Sequence, residues 1–123
     1  MNNKLLFLCF SMAIFNSCLT NKIAHFEILN ESSITIDSIK VSCSGTDYKQ
    51  KSTLKNVLPN QIESITLDMN NIKKVDGNYF VELYIKNNKI EKAFGYYTNG
   101  MPTNSIYSLF VKKDTILIRE RRK

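Results

Sequence analysis

The feature that most constrains the fold is an alternation of apolar and polar side chains with a period of two residues. It is clearest in four apolar residues at every second position, Tyr79, Val81, Leu83 and Ile85. Successive side chains of a β-strand point to opposite faces of the sheet, so this spacing places all four on one face. A helix would need apolar residues three and four positions apart, and that spacing is nearly absent from the chain. The sequence therefore predicts an all-β protein.

The same alternation, interrupted by turn residues, predicts seven or eight strands. In chain order they cover residues 23–29, 34–41, 48–54, 64–69, 79–86, 90–97, 106–112 and 115–119. The third of these is the most polar and alternates weakly, which is typical of a strand at the edge of a sheet.

Two details of strand geometry also follow from the pattern. In the second strand the apolar positions change parity between Ile36 and Ile39, which predicts a β-bulge at Asp37 or Ser38. Between the fifth and sixth strands, the pair Asn87–Asn88 tolerates positive φ angles and predicts a tight hairpin turn.

Residues 23–123 are predicted to form one domain. Many short strands, with no helix to cover a parallel sheet, are typical of an antiparallel β-sandwich. A length of about 100 residues and the number of strands favour an immunoglobulin-like arrangement. The chain has no tryptophan, so the cysteine-tryptophan-cysteine spacing of antibody domains is missing, and a small β-barrel is the alternative.

The first residues follow a different pattern. Lys4 precedes a mainly apolar run over residues 5–15, and Asn16, Ser17 and Cys18 follow it. As a helix this run would extend about 16 Å, roughly half of the ~30 Å hydrocarbon core that a membrane-spanning helix must cross. A basic start, a short apolar stretch and a small residue before the cleavage point are the parts of a secretory signal. Residues 1–17 are therefore predicted to be a helical signal peptide.

The end of that segment, Phe15-Asn16-Ser17-Cys18, resembles the lipobox of bacterial lipoproteins. The resemblance covers the first eighteen residues, and no named family is attached to the domain that follows. It implies that Cys18 is acylated, for example with palmitate, becomes the first residue of the mature protein, and begins a tether at residues 18–22. It also implies an exported protein anchored in a membrane of the bacterial cell envelope, on the periplasmic side in preference to the cell surface.

Cys43 is the remaining cysteine outside the predicted signal peptide. If Cys18 is not lipidated, a disulfide between Cys18 and Cys43 is the alternative, because an exported chain meets an oxidising compartment. If Cys18 carries lipid, Cys43 is expected to be a half-buried residue near a strand end. His25 is the only histidine and nothing in the sequence places it beside Cys43, so a catalytic pair is not predicted.

Signals for catalysis and for cofactor binding are missing from the sequence. There is no cluster of histidines or carboxylates at the spacing of metal ligands, no glycine-rich phosphate loop and no serine elbow. We therefore predict no enzyme activity, no metal and no cofactor. The net charge of +6 falls to +5 without Lys4 and is scattered mainly as single lysines, so nucleic-acid binding is not predicted.

The loop GYYTNGMP is a candidate for binding a partner. It combines rigid aromatic side chains with adaptable polar ones, and its candidate contact residues are Tyr96, Tyr97, Asn99 and Met101. The alternative is that one tyrosine completes the core while the remaining residues form the turn. In a strict alternation continuing from Phe94, Tyr96 would point inward and Tyr97 would be the more exposed ring.

Basic residues are candidates for contact with anionic lipid head groups: Lys73, Lys74, Arg119, Arg121 and Arg122. If eight strands each reverse direction, the first strand begins and the last strand ends at the same end of the domain, close to the tether. With seven strands the C-terminus would lie at the opposite end. The alternative for the C-terminal arginines is a solvated tail.

These patterns together predict a non-catalytic, lipid-anchored envelope protein that acts as a binding or accessory module. Its expected partners are the membrane, through lipid on Cys18, and an envelope protein. An inhibitor or immunity-type protein against a secreted enzyme or toxin is the alternative, and a small hydrolase is a third hypothesis.

Overall fold

A computed structural model describes residues 22–44 and 50–123. The predicted signal peptide and Cys18 lie outside the described residues. Within these ranges the chain forms nine β-strands and no helix. In chain order the strands are β1 Ile23–Asn30, β2 Ile36–Cys43, β3 Lys51–Val57, β4 Ile62–Asp68, β5 Gly77–Ile85, β6 Asn88–Thr98, β7 Met101–Pro102, β8 Ser105–Val111 and β9 Ile116–Arg122.

The strands form two sheets with one apolar core between them. The first sheet has the order β4-β1-β8-β9 and the second has the order β3-β2-β5-β6-β7. Residues of both sheets meet in the core, as in the contact between Phe26 of β1 and Tyr79 of β5, whose ring centroids are 5.1 Å apart. The chain is therefore a β-sandwich, as predicted from the two-residue alternation.

One strand pair corrects the prediction of a wholly antiparallel sandwich. β1 and β8 are parallel neighbours, with His25 opposite Ile106. Parallel pairing is possible here because the chain travels through the second sheet before it returns beside β1. The strand order also differs from the A-B-E-D and C-F-G sheets of constant immunoglobulin domains, since β1 pairs with β4 and β8 and not with β2.

β5 is the central strand of the second sheet and carries the clearest alternation. Tyr79, Val81 and Leu83 are fully buried on its inner face. β5 pairs with β2 on one side and with β6 on the other, which leaves both of its edges hydrogen-bonded. β3, the most polar of the predicted strands, lies at the edge of the same sheet, as expected.

The prediction of a bulge in β2 is wrong, although the burial that it was proposed to explain is observed. Ile36 and Ile39 are both buried. The register of β2 on β3 is the same before and after Asp37, however, so no extra residue is inserted. The irregularity lies instead in β3, where Asn56 adopts a φ of 55°. Asparagine tolerates this left-handed conformation better than most residues.

The hairpin between β5 and β6 turns one residue earlier than predicted. Ile85 pairs with Asn88, so the two-residue loop is Lys86–Asn87, and Lys86 takes the positive φ of 54°. Asn88 is already the first residue of β6. The position of the turn follows from the pairing of the two strands, which the composition of the loop alone does not define.

Candidate interaction surfaces

The first and last strands meet at one end of the sandwich. Ile23, the first residue of β1, lies opposite Asp68, the last residue of β4. Ser105, the first residue of β8, lies opposite Arg122, the last residue of β9. Because β1 and β8 are parallel neighbours, both pairs lie at the same end, which we call the basal end. This is the arrangement predicted for eight strands. It also arises with nine strands because β7 and β8, which only two residues separate, are not joined by a hairpin, so the chain does not reverse its direction between them.

Two connections come together at the basal end. The N–H of Gly100 donates a hydrogen bond to the carbonyl of Val75 over 2.9 Å, and the N–H of Asn99 donates to Oδ1 of Asp76 over 2.8 Å. Val75 and Asp76 belong to the β4–β5 connection, in which Lys73 and Lys74 are exposed. The two lysines therefore lie on a loop that is held against the β6–β7 turn.

The predicted basic set is divided between two places. Lys73, Lys74 and Arg122 lie at the basal end. Arg121 instead points across the outer face of the first sheet, where its Nη2 is 3.2 Å from Oε1 of Glu27. Arg119 lies further along the same face.

The guanidinium of Arg119 covers the ring of Phe110, with 5.1 Å between the guanidinium carbon and the ring centroid. Arg119 is three residues from the end of β9, a distance of roughly 10 Å along an extended strand. Its place on the sheet is therefore not the basal end that the sequence suggested for it.

The two neighbouring tyrosines have the opposite exposure from that predicted. Tyr97 is fully buried, whereas Tyr96 is 50% exposed. The register of β6 on β5 explains the difference, because Tyr79 pairs with Phe94 and Gly77 pairs with Tyr97. One extra residue of β6 is accommodated between these pairs, which is a β-bulge that reverses the parity after Phe94.

The bulge depends on Gly95. Its φ of 54° is in the left-handed region, where glycine is unstrained. A Cβ at this position would be 2.6 Å from Cζ of Tyr107, closer than a carbon atom can approach. Asn78, opposite the bulge, donates from Nδ2 to the carbonyl of Gly95 over 2.7 Å. A glycine inside a strand pattern is the sequence signal that could have revealed the bulge.

The bulge directs Tyr97 into a buried cluster of five aromatic rings that joins the two sheets: Phe26, Tyr79, Phe94, Tyr97 and Tyr107. Neighbouring ring centroids are separated by 5.1 to 6.1 Å, the range of favourable aromatic contacts. Burial is the main cause that raises the pKa of Tyr79 above its usual range, so its phenol is neutral. Tyr97 is therefore a core residue and cannot contact a partner.

Met101, another candidate residue of the loop, lines an open cleft of about 480 Å³ at the basal end. The other lining residues come from β1, β7, the β7–β8 connection and the C-terminus: Ile23, His25, Pro102, Thr103, Asn104 and Lys123. Oγ1 of Thr103 is buried and makes no hydrogen bond to any described residue. Asn99 is exposed on the neighbouring turn. The cleft brings together His25 and Lys123, which sequence reasoning did not select.

Cys43 and His25 are kept apart by the fold. Cys43 ends β2 in the second sheet and is fully buried, more than the half-buried position expected from the sequence. Burial raises the pKa of the Cys43 thiol to about 12, so the thiol is protonated at neutral pH. His25 is exposed on the first sheet.

The outer face of the second sheet carries an ion-pair network around Glu82. Glu82 pairs with Lys40 of the neighbouring strand and, over 3.7 Å, with Lys89. The hydrogen bond from Lys40 is the first cause that lowers the pKa of Glu82. These contacts connect β2, β5 and β6 across the sheet.

The described part of the chain has neither a metal-binding cluster nor a membrane-spanning helix. Among residues 22–44 and 50–123, no three histidine, cysteine or acidic side chains come close enough together to hold a metal ion. In the same ranges there is no helix with the length and apolar character needed to cross a bilayer.

The fold and its surfaces define a two-sheet β-sandwich with a basal end and two solvent-facing sheets. A protein from Eubacterium rectale, whose structure was determined by NMR, is similar to this chain with a TM-score of 0.53 and 10% sequence identity. The similarity covers 83% of this chain and 91% of that protein, and at this identity it shows the fold alone. No protein-family model and no curated protein matches the chain.

Proposed function

We propose that this chain is a lipid-anchored protein of the bacterial cell envelope that acts as a non-catalytic binding or accessory module. The observation that carries the proposal is the position of the basal end. Cys18, the residue that resembles the lipidated cysteine of a lipobox, precedes Ile23 by five positions, and Ile23 begins β1 at that end.

The length of the tether supports a basal end that faces the membrane. Residues 19–22 span at most about 14 Å, even when fully extended. Lys73 and Lys74 are exposed at the same end, with Val75 beside them 46% exposed. Each lysine near an anionic membrane surface contributes on the order of 1 kcal/mol of attraction at low salt. A periplasmic location would place these lysines against anionic head groups.

The binding role is supported by what an anchored domain would leave accessible. With the basal end at the membrane, the outer faces and edges of both sheets remain open to other envelope proteins. These surfaces carry exposed apolar side chains, including Leu117 on β9 and Tyr96 on β6, at 45% and 50% exposure. Aromatic residues are enriched in protein–protein interfaces relative to the rest of the surface.

The first prediction concerns Cys18→Ala in the full chain expressed in a bacterial host. We expect the wild-type chain to sediment with membranes and to stay there in a high-salt wash, because several acyl chains hold a protein where one chain is marginal. We expect Cys18→Ala to abolish acylation and to leave an unprocessed precursor or a chain released from membranes. Cys9→Ala, within the predicted signal peptide, is the matched control and should behave as wild type. Acylation and processing of Cys18→Ala equal to those of wild type would overturn the anchoring proposal.

A further inference from the structure

The outer edge of β9 has a set of backbone hydrogen-bonding groups that pair with no strand among residues 22–44 and 50–123. β9 is the last strand of the first sheet, and no other strand of the described chain pairs with its far side. The N–H of Lys123 donates to the carbonyl of Asn104 over 3.0 Å, so the backbone hydrogen-bonding groups of Lys123 face β8. The carbonyl of Ile116 faces the other way, since it accepts a hydrogen bond from Nζ of Lys92 on β6 over 2.8 Å.

These two contacts define which backbone N–H and C=O groups of β9 point away from β8. In an antiparallel pair, hydrogen-bonded and non-hydrogen-bonded residues alternate along the strand. Lys123 is in the first class and Ile116 is in the second. The N–H and C=O groups of Ile118, Glu120 and Arg122 therefore point away from β8. The contact with Lys92 closes the edge at Ile116 and leaves the remainder of the strand open.

The open part of the edge is strongly basic. Arg119 and Arg121 project on the outer face of the sheet, where Arg119 covers the ring of Phe110 and Arg121 is paired with Glu27, and Arg122 and Lys123 follow at the basal end. The one acidic residue among them is Glu120, whose Oε1 already accepts a hydrogen bond from Oγ of Ser105 over 2.6 Å.

We propose that the outer edge of β9 is a docking site for an extended acidic segment of another protein, which adds to the first sheet as a fifth strand. The backbone of that segment would pair with Ile118, Glu120 and Arg122, as in other cases of strand addition to a sheet edge. This inference rests on the proposed binding role, but it does not depend on lipid at Cys18.

The side chains of β9 specify the chemistry of the added strand. Residues of neighbouring strands that lie side by side share a face, so every second residue of the segment lies beside Leu117, Arg119 or Arg121. Acidic residues fit beside the two arginines, and an apolar residue fits beside Leu117. On that face of the segment, acidic residues occupy the positions beside Arg119 and Arg121, and an apolar residue occupies the position beside Leu117.

The same charges argue against a second copy of this chain as the occupant. Two β9 strands paired with each other would bring arginines of one copy beside arginines of the other, and like charges in neighbouring strands are destabilising. Charged residues on edge strands are a common means of preventing self-association. A basic edge therefore rejects its own copy and accepts a strand of opposite charge.

The opposite edge of the sandwich is less open. β4 and β3 lie next to each other there, and Oγ of Ser52 donates a hydrogen bond to the carbonyl of Thr66. A strand added at β4 would displace this contact between the two sheets. The edge of β9 thus offers both free backbone groups and a charge that selects the partner.

The test uses the full chain in a neutral detergent and a synthetic eight-residue peptide with glutamate at three alternate positions, valine at the fourth alternate position, which lies beside Leu117, and threonine between. NMR titration should move the amide signals of Ile118, Glu120 and Arg122. Arg119→Glu should weaken binding at least tenfold, while the matched control Lys113→Glu, which makes the same charge change on an exposed residue outside β9, should bind as wild type. A peptide with lysine in place of glutamate should not bind.

A second pair of variants tests the backbone contact. Glu120→Pro removes an N–H that β8 does not use, and should abolish peptide binding, whereas Glu120→Ala keeps the N–H and should bind at least as well as wild type. Circular dichroism reports whether each variant is folded. The proposal is overturned if the glutamate peptide does not bind, or if Arg119→Glu binds it as Lys113→Glu does. Binding by a folded Glu120→Pro variant at wild-type affinity would also overturn it. None of these outcomes depends on acylation of Cys18, so failure here is separate from failure of the anchoring proposal.

Discussion

The ring of Tyr107 lies where a side chain at position 95 would have to be, and this contact decides which of two tyrosines enters the core. Only glycine allows β6 to bulge at that point without strain. The bulge then turns Tyr97 inward and leaves Tyr96 half exposed. At the scale of single residues, burial in this part of the chain therefore depends on a contact between β6 and β8.

The second prediction follows from that contact. Tyr97→Ala removes a fully buried ring from the aromatic cluster and should lower the free energy of unfolding by about 3 to 5 kcal/mol, measured by urea denaturation. Tyr96→Ala is the matched control, since it deletes the same ring from an exposed position, and should change it by less than about 1 kcal/mol. Equal losses in the two variants would mean that the bulge does not direct the rings as described.

Sequence reasoning predicted an alternation that holds in most strands and fails after Phe94. A rule with a period of two cannot detect an inserted residue unless the sequence contains a separate signal for a bulge. Gly95 is such a signal, but its interpretation depends on the contact with Tyr107, twelve positions away. The exposure of Tyr97 is therefore the part of the GYYTNGMP loop that the sequence predicted wrongly.

At the scale of strands, the elements with a continuous apolar face were the most predictable. In β5 the buried residues follow the predicted alternation, because both neighbours of this strand are regular along that stretch. The hairpin turn after β5 was predicted one residue too late. The irregularity opposite Asp37 was assigned to β2 although it lies in β3. Both depend on the register between two strands, which is a property of the pair.

The third prediction tests the central position of β5. Leu83→Ala should lower the free energy of unfolding by about 2 to 5 kcal/mol, since it leaves a cavity between two hydrogen-bonded neighbours. Leu117→Ala, the same substitution at a 45% exposed position on β9, should cost less than about 1 kcal/mol. Chemical denaturation monitored by far-UV circular dichroism measures both. A loss below 1 kcal/mol for Leu83→Ala would contradict a central strand.

At the scale of the whole molecule, the sequence predicted the β-sandwich and the meeting of the first and last strands at one end. It did not predict the sheet order or the parallel pair, because β1 and β8 are separated by about eighty residues and neither strand carries a mark of the other. The division of the basic residues depends on this arrangement. Arg119 and Arg121 project from an edge strand, whereas Lys73 and Lys74 belong to a basal connection.

The central claim is that this sandwich is held to a membrane through Cys18, and the mass of the mature protein tests it most directly. Intact-mass analysis of the chain purified from bacterial membranes should give a protein that begins at Cys18 and carries the added mass of acyl chains. Digestion should place that mass on the N-terminal fragment ending before Ile23. An N-terminal fragment with an unmodified cysteine at position 18, or one that retains residues 1–17, would contradict the account.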